Sequence, residues 1–311
     1  MNILFVSRSH SGQPNPFVAE QAHSVVKNHR VSVEHYLIEN GGISGYGKAI
    51  FELAKVIKSK SIDIVHVHNG ISALAVILSK FLFFRSMTVI TTFHGSDLNE
   101  KFKRPYSLIA SRFSSHNILV SKKMGHFLDG DYSIVPCGID IDIELIYRDC
   151  TRKEAGWHPN DFIILFSSSF RRKVKDPEFA FKVVQDFSKS SMRNVRFIEL
   201  EGYNREQLTR LMQAADALIL CSTMEGSPQV IKEAILNSLP IVSNDVGDVA
   251  EICHGVDNCF IVSKEVSTFV ERLEHIANNN MRIQDRSSVI KNYDNKIIAY
   301  KLFEIYRKNA N

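Results

Sequence analysis

With 311 residues, 44% of them hydrophobic and 23% charged, and a net charge of +4, the chain is too long for one ordinary core and suits two domains. Its composition excludes a disordered polypeptide. The five cysteines (Cys137, Cys150, Cys221, Cys253, Cys259) are scattered, odd in number and never spaced C-x-x-C. That argues against a disulfide or zinc framework and for reduced thiols in a cytoplasm.

The N-terminus, MNILFVSRSHSG, has no basic lead and no long apolar run, so it reads as a buried first strand (2–7) rather than a signal peptide. A helix follows from about 17 to 28, then an alternating strand at 31–38. A second helix spans 47–59, where Ile50, Leu53, Ala54 and Ile57 recur at helical spacing. ALAVILSKFLFF (73–84) is the longest apolar stretch, but it carries Lys80 and is short for a membrane span. Strands are predicted at 63–68, 87–94, 117–121 and 133–136. The stretch IYRDCTRKEAGWHPND (146–161) is charged and reads as structure-poor. Beyond it the rhythm restarts, with strands at 162–169, 195–200, 217–222, 240–244 and 259–262 and helices at 177–189, 205–215 and after Pro228. An amphipathic helix at 295–308 has no strand after it and could pack back across either domain. The alternation is that of an α/β fold built from two doubly wound parallel sheets. The expected division is 1–148, 149–294 and a C-terminal helix at 295–311.

The positive charge is uneven. Residues 1–148 hold 16 Lys and Arg against 12 Asp and Glu, the remainder 22 against 22, and Lys80 to Lys123 alone hold 8 basic against 2 acidic residues. A solvated surface accounts for this, and so would a docking face for an anionic membrane or a phosphorylated acceptor. No nucleic-acid motif accompanies the charge, so nucleic acid is not an expected partner.

Ligands of open α/β sheets bind at the carboxyl ends of the strands, and three segments sit there. SRSHSGQPNPF (7–17) follows the first strand with one glycine, Gly12, so a dinucleotide fingerprint is absent. The turn still allows close approach to a ligand, although an ordinary surface turn fits equally. TTFHGSDL (91–98) places His94 at a strand end before a Gly-Ser turn and Asp97, where an imidazole could accept or donate near neutral pH. The two histidines of HVH (66–68) are expected on opposite faces of their strand, poor geometry for one metal.

The third site combines SSSFRRKVKDPEF (167–179) with EGSPQVIKEA (225–234). Arg171, Arg172, Lys173 and Lys175 follow a buried strand and carry the forks and point charge that a diphosphate needs, the alternative being a solvated basic loop. Ser227 then Pro228 reads as an N-cap followed by proline at the first helical position, an anion-friendly helix start. Glu225 precedes that turn. Glu233 lies sixth in the helix, roughly 7 to 8 Å along, its side chain tilted back toward the start. Carboxylates repel phosphate, so each should reach hydroxyls. A nucleotide sugar meets both demands, its diphosphate on the amides from Ser227 through Gln229 to Val230, its ribose at Glu233 and its sugar at Glu225.

Here the chain resembles the retaining glycosyltransferases of family 4. EGSPQVIKEA is similar to their E-x7-E motif, and the loop at Gly12, TFHGSD, VPCGID, SFRRKVKDP, AADALILCS and LPIVSNDVGDVAE match in order. The resemblance implies the GT-B fold, two Rossmann-like domains facing across a cleft, the first binding acceptor and the second the donor. It implies sugar transfer from a UDP- or GDP-sugar to a glycan or lipid-linked acceptor with retained configuration, without a metal or other cofactor. It also implies site roles: Glu233 on the donor ribose, Glu225 on the sugar, and Gly226, Ser227 and Pro228 under the diphosphate. Arg171 (or Arg172) and Lys175 would neutralise the leaving phosphates, His94 would sit beside the reacting sugar, and Gly12 would approach the phosphates. Cys137 stands where the family commonly has asparagine, and the N-terminal half is short.

The expected setting is cell-envelope or exopolysaccharide synthesis, at the cytoplasmic face of the membrane. Competing readings are a nucleotide-sugar epimerase or phosphorylase of the same fold, and a non-catalytic transferase-like subunit.

Overall fold

The computed structural model describes every residue except His10, Asn40, Arg85 and Asn311, and of Ile43 the backbone alone. The chain divides into two compact units: residues 1–138 with 293–311, and residues 139–292.

The first unit runs β1 (Asn2–Arg8), α1 (Pro16–Asn28), β2 (Ser32–Ile38), α2 (Gly42–Ser59), β3 (Ile64–His68), α3 (Gly70–Phe83), β4 (Thr88–Phe93), α4 (Ser96–Asn99), α5 (Arg104–Phe113), β5 (His116–Leu119) and β6 (Tyr132–Ile134). Its six strands form one parallel sheet in the order β2-β1-β3-β4-β5-β6. Successive strand residues face opposite sides. Ile3 and Phe5 therefore pack with Val18 and Val25 of α1, while Leu4 and Val6 pack with Leu53 of α2, Val76 of α3 and Ala110 of α5.

The second unit runs α6 (Arg148–Glu154), β7 (Asp161–Phe166), α7 (Pro177–Ser190), β8 (Asn194–Glu199), α8 (Arg205–Ala214), β9 (Ala217–Leu220), α9 (Gln229–Leu236), β10 (Ile241–Asn244), α10 (Val249–Cys253), β11 (Cys259–Val262), α11 (Val266–Asn279) and most of α12 (Ser287–Tyr293). Its five parallel strands lie in the order β11-β10-β9-β7-β8. Phe162, Ile164 and Phe166 of β7 pack on Ala180 and Val183 of α7 and Phe269 of α11.

The last helix, α13 (Asn295–Asn309), belongs to the first unit. Ile298, Leu302 and Tyr306 enter the same cluster as Phe5 and Val25. That helix presses close on Gly138: a Cβ there would stand 2.4 Å from Asn295 Oδ1 and 3.1 Å from its Cα.

The stretch 146–161 is not structure-poor. It holds α6, whose charged side chains grip the fold: Arg148 Nη2 and Arg152 Nη1 meet Asp216 at 2.5 and 3.1 Å, and Arg148 Nη1 donates to the Ala215 carbonyl at 2.7 Å. The sequence shows charge without apolar period, and the partners that give it structure lie 67 and 68 residues away. His66 and His68 also differ from expectation. Residues two apart on a strand share a face, and their rings lie 4.4 Å apart.

Candidate functional site

In the second unit the strand order reverses between β7 and β9, and the loops leaving these neighbours meet at that topological switch point, where ligands of open α/β sheets bind. Buried apolar strands deliver the chain there, and polar residues then take over. Lys175 and Glu225, one from each loop, meet at 2.5 Å with side chains only 9% and 11% exposed. Ser222 Oγ donates to the same carboxylate oxygen at 2.6 Å. The two loops are joined along their backbones as well, Thr223 N donating to the Val174 carbonyl at 2.9 Å. An ammonium held by a carboxylate that a hydroxyl fixes in turn is a pre-positioned cation.

The two arginines that precede Lys175 point elsewhere. Arg171 is 82% exposed and pairs with Glu201 at 2.7 Å, while Arg172 Nη1 donates to Ser168 Oγ at 3.3 Å. Glu201, just beyond the end of β8, and Glu199, at its end, also hold the loop itself, accepting from Ser169 Oγ (2.6 Å) and Phe170 N (2.6 Å) respectively.

The helix start at Ser227–Pro228 differs from its sequence expectation. α9 begins at Gln229 with Pro228 as the cap residue, and no side chain caps it. Glu233 is accordingly the fifth helical residue. Ser227 is drawn aside by a buried cation: Lys232 Nζ, fully enclosed, donates to Ser227 Oγ at 2.8 Å. Asp248, also buried, hydrogen-bonds the same serine. The turn carrying Asp248 reaches Gly226 directly, Asp248 N donating to the Gly226 carbonyl at 3.1 Å. Gly247 has φ +57, and a Cβ there would stand 2.4 Å from that carbonyl. Gln229 and Val230, half-buried, open the helix, and Glu233 ion-pairs with Arg205 at the first residue of α8.

In the first unit, Gly12 lies in a turn after β1 with φ +73, closed by Ser9 Oγ donating to the Gln13 carbonyl at 2.6 Å. His10 of this loop is outside the described residues. His94 follows β4 at the same edge of the sheet. Asp97 builds its turn, accepting from the amides of His94 (3.1 Å), Gly95 (2.9 Å) and Gly70 (3.3 Å). Gly95, at φ +113, takes a conformation that side chains disfavour.

Both ring nitrogens of His94 face protein groups: Nε2 lies 3.1 Å from His68 Nδ1, and Nδ1 lies 3.7 Å from Cys137 Sγ. Phe17 covers the ring at 4.9 Å between centroids. Burial pushes the His94 pKa down to about 4, so the imidazole is neutral at pH 7 and does not titrate there. His66, held between Tyr306 Oη (2.6 Å) and Thr92 Oγ1 (2.7 Å), is pushed down to about 3 by burial with His94 nearby. Burial drives His68 well below the usual imidazole range.

Sequence reasoning named Lys175, Glu225 and His94 but missed the residues that hold their neighbourhood: Lys232, Asp248, Glu201, Arg205, His68 and Phe17. One signal was available. Lys232 sits between the apolar Val230–Ile231 and Ala234–Leu236 of α9, and a cation drawn into such company requires a partner.

The first-unit histidines and Asp248 of the second unit are shifted in opposite directions. The first-unit histidines, lowered in the folded state, leave the unfolded chain binding more protons between about pH 6.5 and 4, so their contribution is lost as pH falls through that window. Asp248 is raised to about 6, chiefly by burial and against the pull of Lys232. Its folded state binds the extra proton, so its contribution grows as pH falls from 7 toward 4. Going from pH 7.5 to 5 should therefore lower the urea midpoint seen by far-UV circular dichroism more than the midpoint seen by the single tryptophan, Trp157, in the second unit. Equal downward shifts would contradict this.

Two doubly wound parallel sheets in one chain define a two-unit Rossmann-like α/β protein. The family model described as Glycosyltransferase Family 4 matches residues 5–143, and that described as Glycosyl transferases group 1 matches residues 163–279. The chain belongs to the family 4 glycosyltransferases, and its fold is GT-B. It is 23% identical to N-acetyl-alpha-D-glucosaminyl L-malate synthase of Bacillus anthracis, over 94% of this chain and 86% of that protein. Among solved structures it resembles sucrose-phosphate synthase from Thermosynechococcus elongatus (TM-score 0.77, 13% identity, 99% and 98% of the two chains). It also resembles Anabaena HepE, solved in complex with UDP-glucose (TM-score 0.72, 16% identity, 99% and 100%).

Proposed function

We propose that this glycosyltransferase moves a sugar, with retention of configuration and without a metal, from a nucleoside-diphosphate donor to a glycan or lipid-linked acceptor. The observation that carries the reading is the enclosed Lys175–Glu225 pair at the switch point of the second sheet. Departure of a nucleoside diphosphate concentrates negative charge on its phosphates, and a cation already in place stabilises that charge without reorganising. Lys175 serves this role, joined by Arg171 or Arg172 once either swings from its present partner. The amides from Gly226 to Val230, less that of Pro228, receive the diphosphate. Glu225 contacts the donor sugar and Glu233 the ribose, with Arg205 orienting the latter carboxylate.

On the acceptor side, His94 acts as a neutral polar group beside the sugar, a role its low pKa supports, and Gly12 admits the phosphates closely. The UDP-glucose bound by HepE supports a nucleotide-sugar donor for this chain. We place the activity in cell-envelope or exopolysaccharide synthesis at the cytoplasmic membrane face. Among the described residues no helix is long and apolar enough to cross a membrane.

Calorimetric titration with UDP and with GDP tests the donor reading. One of them should bind, and Glu233→Ala should weaken it about tenfold, the loss of roughly one charge-assisted hydrogen bond. Binding of neither nucleotide overturns the donor; unchanged affinity in the variant overturns the ribose role of Glu233.

A further inference from the structure

Helices α3 and α5 lie side by side on one face of the first sheet, so close at one end that a Cβ on Gly70 would collide with Ser107. Their inner faces are ordinary core. Their outer faces are not. Phe81 and Leu82 of α3 are each 61% exposed, and Phe102, just ahead of α5, is 79% exposed. Tyr106, Ile109 and Phe113 are exposed as well. The last three recur at i, i+3 and i+7, which is one stripe of the helix. Phe81 and Phe113 meet edge to face at 5.1 Å, joining the two helices' surfaces into one patch. A soluble surface seldom leaves so many large apolar side chains together without an occupant.

The charges beside the patch indicate which occupant. Lys101 and Arg112 are exposed next to it, and the carboxylate of Glu100 is taken by Lys103 at 2.8 Å. Asp97, the other acid of this segment, is buried in the His94 turn. Arg104 is turned inward, donating to the Leu98 carbonyl at 2.7 Å and lying over Phe127, and Arg85 is outside the described residues. Aromatic and aliphatic groups flanked by cations fit the boundary between acyl chains and anionic headgroups. A second copy fits less well, since a twofold pairing of this patch would bring Lys101 and Arg112 toward their own counterparts.

We infer that the α3–α5 face docks on an anionic lipid surface, seating Phe81, Phe102, Ile109 and Phe113 in the headgroup layer with Lys101 and Arg112 on its phosphates. The inference rests on the reading that the protein works at a membrane, and names the surface that meets it. The transfer site need not be intact for docking.

Co-sedimentation of the full chain with vesicles of mixed phosphatidylglycerol and phosphatidylcholine, against phosphatidylcholine alone, tests it. The wild type should bind the mixed vesicles and bind less tightly as salt is raised. Phe81→Ser with Phe113→Ser should weaken partition about tenfold or more, and Lys101→Glu with Arg112→Glu at least fivefold. Unshifted melting temperatures show that the variants fold; should the first pair melt early, Phe102→Ser replaces it. Wild-type binding with undiminished binding by both variants overturns this face and leaves the membrane reading standing. No binding by the wild type overturns both. A wild-type dimer that Phe81→Ser with Phe113→Ser converts to monomer in sedimentation equilibrium assigns the patch to a second copy and overturns the lipid inference.

Discussion

Replacing Lys175 by methionine is expected to lower turnover about 10²–10³-fold, a barrier increase of about 2.7–4 kcal/mol, which is typical when one pre-positioned electrostatic group is removed. Methionine keeps the length of the side chain and removes the charge, so the loss should appear in kcat more than in KM. Its partner behaves differently. Glu225→Leu leaves the lysine ammonium, 9% exposed, without its carboxylate, and should cost about 3–5 kcal/mol of stability. The double variant separates structure from chemistry. With both charges replaced by apolar groups, most of that stability should return, while turnover stays low. Urea midpoints and initial rates for the three proteins decide the matter. A Lys175→Met enzyme within threefold of wild type would remove the lysine from the mechanism.

Lys232→Met should destabilise the second unit by about 3 kcal/mol at neutral pH, because it strips a buried cation from a cluster holding Ser227 and Asp248. The pH dependence identifies the cause. Lys232 draws the Asp248 pKa down against burial, so without it the carboxyl should remain protonated to higher pH. Protonation relieves the penalty, and the difference between variant and wild type should therefore shrink from pH 8 to pH 5. A penalty that does not change with pH would indicate lost packing instead. Adding Asp248→Asn should flatten the dependence.

Much of the fold was legible because parallel strands buried on both sides read as apolar, β-branched runs, as in ILFV of β1 and FIILF of β7. Helices that pack by close approach or by ion pairs were harder. α6 has no apolar period, and α3 is apolar nearly all round, so neither announces its inner face. In the site, the chemical types and the strand ends could be read. What could not was which polar groups pair. Ser227 followed by proline has the look of a cap, and only the burial of Lys232 five residues later redirects its hydroxyl. Arg171 and Arg172 look alike in sequence, and their separate partners, Glu201 and Ser168, depend on the loop's path. The outward-facing phenylalanines of α3 and α5 are a further case, since sequence alone gives an apolar residue no reason to be on the surface.

The placement of α13 bears on how the chain reaches this state. The first unit's core contains Ile298, Leu302 and Tyr306, and Tyr306 bonds to His66 at 2.6 Å, yet these residues are synthesised after the whole second unit. On the ribosome the second unit, one continuous segment, can close as soon as it emerges, whereas the first must wait with the sheet face at Phe5 and Ile64 covered by α1 but not yet by α13. The half that is translated first is the half that finishes last, and its exposed interval lengthens with every residue between Gly138 and Tyr293.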